Sequence, residues 1–256
     1  MKLNCVLTAV NEKPLYLDFI PYFIKMWNKL YPMVDIKILL IANSIPEKLS
    51  IYKDNIILFE LIKDISTSFI SQYIRLLYPA LLSYDGGVMI TDIDIVPMNR
   101  TYYTDNIKYF KDDAFIHFRG NSLFGYNQIS MCYNVAHPRV WEKVFNIHSM
   151  DDLKKRIIDK YNNICYINEN PTTNPSWFTD QIDLFRYLMR WNKSTGNLFF
   201  LNDKDTGFNR LCRSQLFELS DMTIQQNISE GRYSDYHSLR PFQKYEDINN
   251  KIHELL

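Results

Sequence analysis

A mostly parallel α/β sheet flanked by helices is the fold this chain predicts, and three observations predict it. Apolar runs of strand length alternate with stretches of helical periodicity through the first hundred residues. The fourth run, Val88-Met89-Ile90, follows a Gly86-Gly87 turn and leads into Thr91-Asp92-Ile93-Asp94-Ile95-Val96-Pro97. Two acids then stand at the end of a buried strand, the edge at which open α/β sheets bind ligands.

Each element has a local reason. Val6-Leu7-Thr8-Ala9-Val10 reads as a first strand stopped by Asn11. Pro14 opens a helix with Phe19, Ile20, Phe23, Ile24, Trp27 and Leu30 in 3.6-residue periodicity, ended by Pro32. Pro21 inside that span predicts a kink or a later start. Residues 36–41 and 56–59 are the second and third strands, separated by a short helical piece over 47–52. Ser66 or Ser68 caps a helix carrying Phe69, Tyr73, Leu76, Leu77, Ala80 and Leu81. Beyond Pro97 the pattern predicts strands at 115–118, 129–135 and 198–201, and helices at 139–145, 151–161 and from Phe178 through Leu188. A polar loop at 168–176 precedes that last helix. Residues 203–243 read as irregular, and a short helix near 248–255 closes the chain. With no repeat or linker, one domain over 1–256 is expected.

Composition narrows the function. Lys+Arg and Asp+Glu both number 29, so the balance excludes a broad nucleic-acid or anionic-membrane surface. Cys5, Cys132, Cys165 and Cys212 are scattered without a C-x-x-C pair, which indicates neither a zinc site nor a disulfide scaffold. No run approaches the ~20 apolar residues of a membrane span, and the amino terminus turns polar too soon for a signal peptide. A reducing, cytoplasmic compartment is expected, and a monomer or weak oligomer.

The acid pair carries the chemistry. In a strand, an i, i+2 spacing points Asp92 and Asp94 to one face. Crowded carboxylates need a cation or a shared proton, and burying them unpartnered costs several kcal/mol. Hard oxygen donors suit Mn²⁺ or Mg²⁺, which bridge phosphate oxygens. The stretch Asp92 to Val96 also satisfies the D-x-D-x-(T/V) pattern of haloacid-dehalogenase-like phosphohydrolases, in which Asp92 would be a nucleophile. That architecture places its motif on the first strand and needs a later acidic pair. Here three strand signals precede Asp92, and no G-D-x-x-x-D follows.

The block Gln72-Tyr73-Ile74-Arg75-Leu76-Leu77-Tyr78-Pro79-Ala80-Leu81-Leu82, then Tyr84-Asp85-Gly86-Gly87 and the D-x-D strand, resembles GT-A fold glycosyltransferases. It is similar to their glycogenin-like and mannosyl- or galactosyltransferase-like members, small viral ones included, so the compartment could be a host cytoplasm. The resemblance implies a uridine or guanosine diphospho-sugar donor and a glycan or other hydroxyl acceptor. It divides the chain into a nucleotide-binding half, 1–98, and a half for donor sugar and acceptor, 99–256. Thr8, Ala9 and Val10 would meet the base, and Arg75 the donor phosphate or sugar. Asp92 would contact ribose and metal, with Asp94 a direct ligand.

His237-Ser238-Leu239-Arg240-Pro241-Phe242 resembles the family's H-x-x-G-x-K-P-W segment, with arginine for lysine. That implies His237 as third metal ligand and Arg240 reaching the diphosphate. Trp177-Phe178-Thr179-Asp180-Gln181 resembles the D-Q segment beneath the transferred sugar, so Asp180 would hold sugar or acceptor hydroxyl and Gln181 would lie near the reacting carbon. Asn134 is a further candidate for the donor sugar. The resemblance leans toward retention of configuration. For inversion, Asp180 is the carboxylate base. A relative that keeps the fold but only binds carbohydrate is the non-enzymatic alternative.

Overall fold

The structure, a computed structural model, describes residues 1–120, 126–167 and 169–256. Its strands are β1 (Leu3–Asn11), β2 (Asp35–Ile41), β3 (Ile56–Phe59), β4 (Gly87–Ile90), β5 (Ile95–Pro97), β6 (Phe115–His117), β7 (Asn134–Ala136), β8 (Leu198–Phe200), β9 (Arg210–Leu211) and β10 (Asp235–His237). The helices are α1 (Pro14–Leu17), α2 (Ile20–Leu30), α3 (Thr67–Leu77), α4 (Tyr102–Asp105), α5 (Pro138–Phe145), α6 (Met150–Asn162), α7 (Thr179–Thr195), α8 (Asp203–Thr206), α9 (Gln215–Glu218), α10 (Asp221–Ser229) and α11 (Glu246–Glu254).

Seven strands form one sheet in the order β3-β2-β1-β4-β7-β6-β8. The first four run parallel, and β7 lies antiparallel between β4 and β6. This is the mixed, mostly parallel sheet the sequence predicts. Side chains alternate across it. Val6, Val10 and Met89 enter the core under α2, while Cys5, Leu7, Val88 and Ile90 enter the core under α3, α5, α6 and α7. A second sheet, β5-β10-β9, stands at the carboxyl edge of the first.

Several local expectations are corrected. At Pro21 the later start, one of the two expected outcomes, is the one found: the chain breaks after Leu17 and restarts as α2 with proline in its first turn, where a missing N–H costs nothing. Ser66 occupies the cap position of α3 but makes no capping hydrogen bond. The strand expected at 129–135 shrinks to Asn134–Ala136, because the preceding residues form a loop gripped by the Asn134 side chain. The irregular stretch 203–243 contains α10, with Ile224 and Ile228 buried, and two strands of the small sheet. Weak periodicity hid these short elements. Asn168, the first residue of the predicted polar loop, lies outside the described residues.

Gly86 and Gly87 are explained by close approach rather than by unusual dihedrals. A Cβ on Gly86 would lie 2.5 Å from the Lys2 carbonyl oxygen and 2.3 Å from Asn4 Oδ1. One on Gly87 would meet Met1 Sδ and Val135 Cγ2, each at 2.8 Å. Backbone cannot yield as a side chain tip does, so the turn into β4 admits no side chain at 86. Gly86→Ala is expected to destabilise the fold by about 1–3 kcal/mol in urea denaturation, as overpacking does.

Candidate active site

The acid pair does not extend β4. That strand ends at Ile90, and Thr91–Asp94 turn the chain out of the large sheet before β5 begins in the small one. Thr91 N still donates to Leu7 O (3.1 Å), and Ile95 N closes the turn on Asp92 O (3.2 Å). The one-face rule of a strand therefore does not apply at Asp92 and Asp94, and the two carboxylates take different partners. Arg75, buried in the last turn of α3, donates from Nη1 to the Thr91 carbonyl (3.2 Å) and to Asp92 Oδ1.

Asp94 takes its own set of partners and is 4% exposed. Its Oδ2 accepts from Arg213 Nη2 at 2.5 Å, with Arg240 Nε at 3.5 Å and His237 Nε2 at 3.6 Å. His237 arrives there because β10 pairs antiparallel with β5, placing it opposite Ile95. Burial pushes the Asp94 carboxyl up, but the neighbouring His237, Arg240 and Arg213 side chains outweigh it and hold it at about 2.

Asp180 opens α7 and closes the constellation from the opposite wall. Its Oδ2 stands 3.5 Å from Arg75 Nη2, and its Oδ1 accepts from the Gln181 amide at 2.8 Å. Burial dominates and pushes its carboxyl up to about 7, against the Arg75 charge, which is shared with Asp92. The Gln181 side-chain oxygen is buried without a partner among the described residues.

These residues surround a cleft of about 330 Å³ whose walls include Ala9, Val10, Arg75, Asp92, Asp94, Asp180, Gln181, His237 and Arg240. Two candidates are not in its lining. Thr8 is fully buried on the α2 side of β1. The Asn134 carboxamide is used up inside the protein. Its Nδ2 donates to Ser130 O (2.8 Å) and Met131 O (3.0 Å), and its Oδ1 lies 2.9 Å from His117 Nδ1. Asn134 thus shapes the Ser130–Met131 wall from behind.

The sequence reading missed other lining residues. Tyr16 places its hydroxyl on Arg240 Nη1, and Asn11 donates to Ser68 Oγ at 2.9 Å. Glu169 accepts from Ser68 and pairs with Lys13. A Tyr two residues after Pro14 and an Asn ending a strand carry no local signal of this role. Arg213, which touches Asp94 from outside the lining, carries none either.

The donor set fits a hard divalent ion in kind, since two carboxylates and an imidazole face one cleft. Asp94 and His237 are adjacent. Asp92 is drawn off by Arg75, and among the described residues no three such side chains are gathered at ligating distance.

An α/β protein with a polar cleft at the carboxyl edge of its parallel strands is the class this geometry defines. The chain matches no protein-family model and no curated protein sequence. Solved structures do match. The galactosyltransferase LgtC, in complex with donor and acceptor sugar analogs, superposes at TM-score 0.51 and 15% identity over 98% of this chain and 94% of that one. An active-site mutant of LgtC superposes at TM-score 0.51 and 14% identity over the same shares. The fold is therefore that of the GT-A glycosyltransferases, as the central block of sequence implied.

Asp180 also sets a pH signature. An acid whose folded pKa is raised contributes its stability below its unfolded value of ~3.9 and loses it as pH rises through the folded one, here about 7. Asp180→Asn is expected to raise the melting temperature relative to the parent more at about pH 8 than at about pH 4, with the gap opening between those limits. A gap that stays constant across that range would contradict the assignment.

Proposed function

We propose that this chain is a glycosyltransferase that moves a sugar from a nucleoside-diphosphate donor to a hydroxyl acceptor with retention. The observation that carries the reading is convergence. Residues from β1, α3, the Asp92–Asp94 turn, α7 and the segment at and after β10 line one cleft on a glycosyltransferase fold. The first 98 residues would hold the nucleotide, and 99–256 the sugar and acceptor. Asp92, Asp94 and His237 would hold a Mn²⁺ or Mg²⁺ ion, which supplies charge neutralisation for the diphosphate when bound.

The remaining roles follow from the chain's own groups. Ala9 and Val10, at the carboxyl end of β1, offer backbone to a base. Arg240 and Arg75 flank the acid turn, where they would draw the diphosphate in and offset the charge that grows on it. In the reaction the bond from the anomeric carbon to the diphosphate oxygen breaks, and the acceptor oxygen bonds to that carbon. The acceptor proton passes to the departing phosphate.

Asp180 is poorly suited to take that proton. Both of its oxygens are engaged, by Gln181 N and by Arg75, and the group is 4% exposed. This favours retention over inversion, and for Asp180 to hold the sugar its Oδ2 would exchange the 3.5 Å Arg75 contact for a sugar hydroxyl. The unpartnered oxygen of Gln181 would accept from a donor-sugar hydroxyl or face the reacting carbon. The phosphohydrolase alternative loses ground, because the acid pair follows the fourth strand and Asp92 is tied to Arg75.

The test is slow hydrolysis of a panel of uridine and guanosine diphospho-sugars in the presence of Mn²⁺. At least one donor is expected to be hydrolysed, with the rate falling about 10²-fold or more in Asp94→Ala. Nucleotide binding without turnover of any donor would instead make the chain a carbohydrate-binding relative. Phosphate release from simple monoesters would make it a phosphohydrolase.

A further inference from the structure

One wall of the cleft carries a carboxylate that the proposed chemistry leaves unused. Helix α3 lays Ser68, Ser71, Gln72 and Arg75 along that wall, a run of roughly 10 Å. Arg75 ends it beside Asp92 and Asp180. Ser68 begins it beside Asn11, the last residue of β1. A nucleotide with its diphosphate at the arginine end and its base against Ala9 and Val10 therefore extends toward Ser68.

Glu169 stands at that end and lines the cleft. Asn11 Nδ2 donates to Ser68 Oγ at 2.9 Å, and Ser68 Oγ donates to Glu169 Oε1, so both side-chain donors are spent on orienting one carboxylate. Lys13 Nζ pairs with the same oxygen, from a side chain that is 52% exposed. Oε2 has no hydrogen-bond partner among the described residues. The carboxylate is 34% exposed and can only accept.

Such a group sorts bases by their donors. Guanine offers two adjacent ones, N1–H and the exocyclic N2 amine, which match the two oxygens of a carboxylate. Uracil offers a single N3–H between two carbonyl oxygens, so acceptor would face acceptor beside it. Adenine and cytosine each set a ring acceptor next to their amine.

We propose that Glu169 selects a guanosine over a uridine diphospho-sugar by pairing its carboxylate with N1–H and the N2 amine of guanine. The inference rests on the glycosyl-transfer reading of the cleft and goes beyond it by naming the base and the residue that reads it. Oε2 takes one N–H. Oε1 keeps Ser68 and exchanges the exposed Lys13 for the other.

Titration calorimetry with GDP, UDP and inosine diphosphate, each in the presence of Mn²⁺, tests this; the inosine base is guanine without its N2 amine. The parent is expected to bind GDP about tenfold or more tightly than UDP, with inosine diphosphate between them. Glu169→Gln, whose amide offers one acceptor and one donor, is expected to bring the GDP-to-UDP ratio within about threefold. A residue that only fastened its segment to α3 would weaken all three nucleotides alike and leave that ratio unchanged. The parent comparison stands whether or not the variant folds. If GDP has no advantage over UDP, if inosine diphosphate matches GDP, or if a folded Glu169→Gln keeps the parent's ratio, the inference falls while the glycosyltransferase reading stands. If none of the three nucleotides binds the parent, the reading itself falls and takes this inference with it.

Discussion

The site depends on how the chain leaves one sheet for another. Between Ile90 and Ile95 the backbone abandons the large parallel sheet and joins the small one, and both acids of the pair lie on that crossing. A carboxylate held there loses much of its water, so it must find cations. Arg75 comes from α3, Arg213 from the residues after β9, and Arg240 from the loop after β10. The acids thereby act as a hub that draws three distant segments to one cleft, and the ligand-facing charge follows from that structural need.

The small sheet is held to this hub by its own buried polar cluster. Asp235, fully buried on β10, accepts from Arg210 Nε (2.9 Å) and Nη2 (2.7 Å) and from the Tyr133 hydroxyl. Tyr133 belongs to the segment whose Ser130–Met131 part lines the cleft, so one carboxylate joins that wall to the strand that delivers His237. A satisfied buried network of this kind fixes a single arrangement, whereas removing one member leaves a costly orphan. The geometry of His237 thus depends on residues that never reach the cleft.

The opposite wall is held by polar contacts at the surface of α3. Tyr166 donates to Gln72 Oε1 at 2.9 Å, and Glu169 reaches Ser68 and Lys13. The segment they belong to ends in Trp177 and Asp180, where it enters α7. Asp180 is buried by that closure, and burial is what lifts its carboxyl toward neutrality. Arg75 reaches Asp92 and Asp180 at once, so the nucleotide side and the sugar side of the cleft share one guanidinium.

By itself the sequence determined the elements through β4, because apolar runs and 3.6-residue periodicity report burial directly, and residues 3–90 obey them closely. It also determined which residue types gather at the cleft, since the acid pair and the arginine helix form a local block. Only the tertiary structure decided which way those groups face. The i, i+2 rule holds inside a strand, and the strand stops at Ile90, a termination set by the distant pairing of β5 with β10. Arg213, Tyr16 and Glu169 were invisible for the same reason: each owes its place to a contact with residues far along the chain. Asn134 shows the converse, a polar residue at a strand end whose hydrogen bonds are consumed by its own loop and by His117. Short-range pattern records what must be buried, while charge compensation is settled between segments that meet only when the chain has folded.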